Sequence, residues 1–148
     1  HIWGRESLFG FFFSGKDSFS PGRAYFQLEK YDKALKSCEN SIRIEPTNFE
    51  FKQFRIILLK TLGRFAEAIQ GADELIKLNS GDCAAHIVKA RALSTLGEYS
   101  QALASFQTAM TLKTNDPELC MDAGEAYLRL GIIEKALTCF TLATSLQP

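Results

Sequence analysis

The feature that most constrains this chain is a return every 34 residues: Leu62-Gly63-Arg64-Phe65, Leu96-Gly97-Glu98-Tyr99 and Leu130-Gly131-Ile132-Ile133, with Ala68, Ala102 and Ala136 each five positions after the glycine. A fixed period of this length means one supersecondary unit stacked on copies of itself. Such stacks bury their apolar faces against neighbouring units and present an extended surface instead of a closed pocket.

Setting the period back from Gly63 gives an aromatic-rich non-repeat arm at 1–14 and four units at 15–48, 49–82, 83–116 and 117–148. Each unit reads as two helices. The first helices, about 49–62, 83–96 and 117–130, stop at Gly63, Gly97 and Gly131, where glycine can take the left-handed conformation that closes a helix. Their starts carry capping signals: Thr47 with Glu50 as a capping box, Asp82 for the third unit, and Asp116 followed by Pro117 for the fourth. The second helices, about 31–44, 65–78, 99–112 and 133–146, hold apolar or small residues at helical spacing, and the column Ala34, Ala68, Ala102, Ala136 lets backbones approach.

At these positions the chain resembles the tetratricopeptide repeat family, whose unit sets a small residue, Tyr, a turn glycine, an aromatic, Ala, an aromatic, Ala and a closing Pro at fixed places. The fourth unit matches through Gly124, Tyr127, Gly131, Ala136, Phe140, Ala143 and Pro148, and the third through Ala90, Gly97, Tyr99, Ala102, Phe106 and Ala109. The second departs, with Ile56 at the small position and Gly71-Ala72 thinning its second helix. In the first, Glu29 replaces the turn glycine and Pro21 falls in mid-helix, which predicts a shortened helix of about 21–29 capped by Ser20. The resemblance implies an all-α fold, an α-solenoid of four helix-turn-helix repeats in a right-handed superhelix.

Lysine plus arginine balance aspartate plus glutamate at 17 each, so no overall field favours nucleic acid or an anionic membrane, and no apolar run is long enough to span a bilayer. Cys38, Cys83, Cys120 and Cys139 show neither a Cys-x-x-Cys pair nor disulfide-scaffold spacing. They read as reduced thiols, which favours an intracellular setting, cytoplasmic or nuclear. The segment Leu8 to Phe13 is interrupted by Gly10 and lacks the flanks of a signal peptide. With His1 at one end and a repeat-closing Pro148 at the other, the sequence reads as part of something longer.

No catalytic constellation emerges. His86 starts a repeat helix where the family buries an aromatic, and a structural histidine is expected there. No Cys or His stands at metal spacing, no glycine-rich phosphate loop occurs, and acidic groups such as Asp73-Glu74 read as solvated helix faces. The expectation is a chain that is not an enzyme and needs no cofactor.

In the family, the inner face of the first helices lines a concave groove. The resemblance implies that this groove is formed here by Arg23, Phe26, Gln53, Phe54, Ile57, Lys60, Ile87, Val88, Arg91, Met121, Asp122 and Glu125. Its middle reads as apolar, through Phe54, Ile57, Ile87, Val88 and Met121, with either an exposed patch or partial burial in the core left open. The positions that bind the C-terminal carboxylate of heat-shock chaperones in other members hold Phe19, Arg23, Phe54, Ala84 and Val88, so that partner is disfavoured. The expected partner is a protein or peptide segment with apolar anchors, its acidic end towards Arg23 and its basic end towards Glu125. The last helix, with Ile133, Leu137, Phe140, Leu142 and Leu146, is more apolar all round than a terminal helix should be, which points to further repeats or to self-association through this end. The resulting expectation is an adaptor or scaffold module. Its alternatives are a stretch of a longer solenoid in a multiprotein complex and a regulatory domain of an enzyme or co-chaperone.

Overall fold

The computed structural model describes residues 20–146. Among them are helices α1 (Ser20–Gln27), α2 (Tyr31–Ile44), α3 (Phe49–Thr61), α4 (Phe65–Leu78), α5 (Cys83–Thr95), α6 (Tyr99–Leu112), α7 (Pro117–Arg129) and α8 (Ile133–Leu146), and no strand. Helices α2, α4, α6 and α8 begin 34 residues apart, as do α3, α5 and α7. The expectations for residues 1–19, including the aromatic arm, lie outside the described residues; of the helix expected over about 21–29, the structure describes Ser20–Gln27.

Local chemistry explains the boundaries. Gly63, Gly97 and Gly131 adopt φ of +83°, +84° and +79°, and each closes its helix with the same pair of hydrogen bonds. In the second unit these run from Gly63 N–H to the Lys60 carbonyl (3.0 Å) and from Arg64 N–H to the Leu59 carbonyl (2.8 Å), a Schellman arrangement. Glu29, which stands where the first unit lacks its glycine, adopts φ +59° and makes the equivalent bond to Phe26 at 3.0 Å. The geometry of the turn therefore outweighs the residue's own preference.

At the helix starts, Asp82 accepts from Ala85 N–H (3.1 Å) and Asp116 from Glu118 N–H (3.0 Å), with Pro117 in the first turn. One cap differs from expectation. Asn48, not Thr47, caps α3, its Oδ1 accepting from Glu50 N–H (3.0 Å) and Phe51 N–H (3.3 Å). Both residues can cap. The helix begins at Phe49, which puts Asn48 in the capping place and Thr47 one residue too early.

Each helix packs on the next along the chain, and α3 also touches α5. Ala34, Ala68, Ala102 and Ala136 are all within 1% of full burial, so the small column does lie at helix crossings. The core has two parts. One joins the first three units around Phe26, Phe54, Ile57, Leu58 and Leu75, with Phe26 and Phe54 ring centroids 5.7 Å apart. The other joins the last two around Ile87, Leu103, Phe106, Leu119 and Ala123.

The second unit, which departs most from the pattern, is not loosely packed. A Cβ built on Gly71 would lie 2.6 Å from Ile56 Cγ2, and one on Gly124 would lie 2.7 Å from the Phe140 ring. In the fourth unit a small residue on the first helix receives a large one from the second. In the second unit the volumes are exchanged, with the large Ile56 on α3 and the small Gly71 on α4. The exchange fills part of the space, and a surface cleft lined by Ile56 and Gly71 remains between Glu39, Arg55 and Glu74.

Candidate binding face

The face formed by the first helices is built on α3, α5 and α7, and the structure sorts its expected residues into two groups. Phe54, Ile57, Ile87 and Val88 are 1%, 3%, 5% and 0% exposed, and Phe26 is buried with them. These side chains belong to the core, which corrects the expectation of a mostly apolar groove. Of the apolar residues assigned to it, Met121 alone is exposed, near the C-terminal end. The physical reason is close helix contact. Where α3 and α5 meet, a bulky side chain turned towards the neighbouring helix is covered by it.

The second group is polar. Gln53 Nε2 donates to both carboxylate oxygens of the buried Asp82 at 2.9 Å, so Asp82 caps α5 and ties α3 to it. Arg91 on α5 is 9% exposed; its Nε donates to Asp122 Oδ2 on α7 at 3.1 Å, and its Nη2 lies 3.9 Å from Glu118 Oε2. Burial lowers the Arg91 pKa and raises those of Asp122 and Glu118, and in each case the pair's own attraction opposes the shift. Desolvation therefore outweighs the Coulomb gain on both sides of this cluster.

Lys60 on α3 is half-buried and makes no ion pair among the described residues. Burial, and next the nearby Arg91 guanidinium, push its pKa down from 10.5 to about 8, with Asp122 opposing. Glu125 stands exposed at the far end, paired with Arg129 at 3.0 Å. Arg23 is partly buried on α1. The row is thus charged, with an under-compensated cation at its centre.

His86 is 9% exposed and its Nε2 lies 3.1 Å from the Ser80 carbonyl oxygen, a contact its N–H makes in the Nε2–H tautomer, so it holds a loop to a helix. All four cysteines are free. Cys38 donates its S–H to the Phe51 carbonyl at 3.0 Å, and burial pushes its pKa up to about 12, which makes it a poor nucleophile. Among the described residues no His, Cys, Asp and Glu side chains group closely enough to hold a metal, and no helix is long and apolar enough to cross a membrane.

Sequence reasoning did not find the Gln53–Asp82 and Arg91–Asp122 links. The signal existed in the spacings, 29 and 31 residues, each a few residues short of one repeat. A residue on one first helix meets the next first helix slightly before its own equivalent position.

The described residues fold as an all-helical solenoid. Profiles of the tetratricopeptide repeat match residues 22–48, 55–117 and 117–148. The chain belongs to the tetratricopeptide repeat family, whose members are interaction modules for other proteins. A search of curated proteins finds no match. Among solved structures, the crystal structure of MamA superposes with a TM-score of 0.78 at 20% identity, over 86% of this chain and 74% of that one. A MamA RS-1 ArsTM double mutant gives 0.79 at 16% identity, over 88% and 77%. TTC0263, a thermophilic tetratricopeptide repeat protein in Thermus thermophilus, gives 0.76 at 21%, over 87% and 72%. At these identities the likeness concerns the fold alone.

Proposed function

We propose that this chain is a non-catalytic adaptor that binds an extended protein segment along the face of its first helices, the face that the family's geometry makes concave. The observation that carries the reading is Lys60. A half-buried cation with a pKa lowered to about 8 and no ion pair among the described residues is a standing cost to the fold, and a carboxylate from a partner would remove it. The segment's acidic portion lies at Lys60 and Arg23, its basic portion at Glu125, and an apolar side chain rests on exposed Met121.

The test is a pulldown with the immobilised chain against Lys60→Glu, both checked for helicity by circular dichroism. The reading expects specific partners that Lys60→Glu loses and that a short acidic peptide displaces. Partners retained by Lys60→Glu would overturn it. Co-purification only as a large complex that no short peptide displaces would favour the architectural role instead.

A further inference from the structure

We propose that Lys60 is a covalent modification site, whose side-chain amine takes a small acyl group from an acyl thioester and holds it as an amide.

What surrounds this lysine singles it out. It stands in the last turn of α3, half-buried, and makes no ion pair among the described residues. From α5 it meets the Arg91 guanidinium, a like charge. From α7 come Asp122 and Glu118, but Arg91 already draws both, Asp122 Oδ2 at 3.1 Å and Glu118 Oε2 at 3.9 Å. On the other sides of α3, Glu39 of α2 is paired with Arg55 at 3.5 Å, and Glu67 of α4 with Arg64 at 2.7 Å. The amine is thus left in a partly dry site, beside a second cation, with the carboxylates around it engaged elsewhere. Burial and the like charge both favour loss of its proton. The end of α3 favours the charged form, but only through a partial charge that solvent screens. The balance falls on the side of deprotonation, with the pKa lowered from 10.5 to about 8, burial being the first cause and Arg91 the next.

Desolvation and a neighbouring cation are the arrangements that turn a lysine into a nucleophile. At pH 7 the lowered pKa raises the neutral fraction about 300-fold, and the weaker basicity gives back about tenfold of that in intrinsic reactivity. Other lysines lack the arrangement. Lys89 and Lys113 are held by Asp73 at 2.7 Å and Asp116 at 3.1 Å, and Lys52, half-buried on the same helix, lines a cleft with Glu39 and Glu74. Charge also selects the acyl donor. With the Lys60 amine neutral, Arg91, Asp122 and Glu118 leave one net negative charge, which repels a dianionic acyl phosphate but not the neutral carbonyl of a thioester. In the step, the amine nitrogen bonds to the acyl carbon, the carbon–sulfur bond breaks, and the departing thiolate takes the proton that the nitrogen gives up; nothing is oxidised or reduced. The amide carries no charge, so the modification erases the Lys60 cation. Its consequence for binding rests on the reading of Lys60 proposed above: the acylated chain releases an acidic segment.

The test incubates the folded chain with N,S-diacetylcysteamine, a neutral acetyl thioester, and separately with acetyl phosphate. Amide formation at each lysine is followed by peptide mass spectrometry from about pH 6.5 to 10. At neutral pH the thioester should acetylate Lys60 about tenfold or more faster than Lys52 and the exposed Lys77, and this lead should shrink with acetyl phosphate. The Lys60 rate should level off above its pKa of about 8, while the rates of the other two keep rising. Arg91→Gln frees Asp122 and Glu118 to pair with Lys60, and should bring its rate down to theirs. Circular dichroism checks that this variant folds; if it does not, the pH profile of the parent chain decides. A Lys60 rate no higher than the references, or one still rising at the top of the pH range, would overturn the proposal, and a preference for acetyl phosphate would overturn the choice of donor. The assay contains no binding partner, so its failure leaves the adaptor reading standing, and a failed pulldown leaves the acylation standing.

Discussion

Lys60 offers the sharpest test of how the face of the first helices is built. Burial and the Arg91 guanidinium lower its pKa from 10.5 to about 8. At 1.36 kcal/mol per pH unit, holding this proton in the folded chain at neutral pH costs about 3 kcal/mol, an upper figure because the side chain is still partly solvated. The unfolded chain keeps the proton up to about pH 10.5, and the folded chain releases it near 8. Between these values the unfolded state binds more protons, so this group makes stability rise with pH across that window.

Lys60→Met keeps the aliphatic stem and removes the charge, so it should stabilise the fold at pH 7 by about 2–3 kcal/mol. The advantage should shrink through pH 8 to 10.5 and vanish at the top. The assay is urea unfolding followed by circular dichroism, at pH 7 and at several points up to pH 10.5. Taking the difference between parent and variant cancels the titration of other lysines, tyrosines and thiols. A difference that stays level across this range would refute the electrostatic account, and a variant less stable at pH 7 would show that Lys60 has a compensating partner. The same substitution should weaken binding of an acidic segment, so stability and affinity move in opposite directions.

Further substitutions probe the scaffold. Asp82→Ala removes both a helix cap and the acceptor of Gln53, and should lower the urea-unfolding free energy by about 2 kcal/mol, with Asp82→Asn losing less. Glu29→Gly relieves a φ of +59° and should stabilise by about 0.5 kcal/mol after glycine's own entropy cost, whereas Gly97→Ala, at φ +84° with open space around it, should cost about 1 kcal/mol in thermal unfolding. Gly71→Ala drives a Cβ to 2.6 Å from Ile56 Cγ2, so in a double-mutant cycle with Ile56→Ala the two should couple favourably by about 1–3 kcal/mol; additive effects would mean that the volumes are not exchanged.

What could be read before the structure was what local rules decide. Gly63, Gly97 and Gly131 announced their turns because a positive φ is nearly glycine's alone, and Asp82 and Asp116 announced helix starts because their carboxylates satisfy N–H groups that the helix leaves free. Thr47 and Asn48 were separated by a single residue of register, finer than helix-end signals resolve. The second unit looked weak because Ile56 and Gly71 each break the pattern. Seen across two helices, the two departures cancel, a relation that no single-helix template contains.

The face of the first helices was harder to read for the same reason. Periodicity assigns a residue to a face but not to a depth, and Phe54 and Val88 occupy the same column as Asp122 while being fully buried. Depth is set by what the adjacent unit brings, and that depends on pairs such as Arg91 and Asp122 on different helices. Interior repeats thus cover one another's apolar columns and leave charged side chains such as Lys60 at the surface margin. The last repeat has no described neighbour, so there the apolar column itself is exposed. The same packing rule therefore leaves a charged row along the middle of the chain and exposed apolar side chains such as Met121 and Leu137 on the last described repeat.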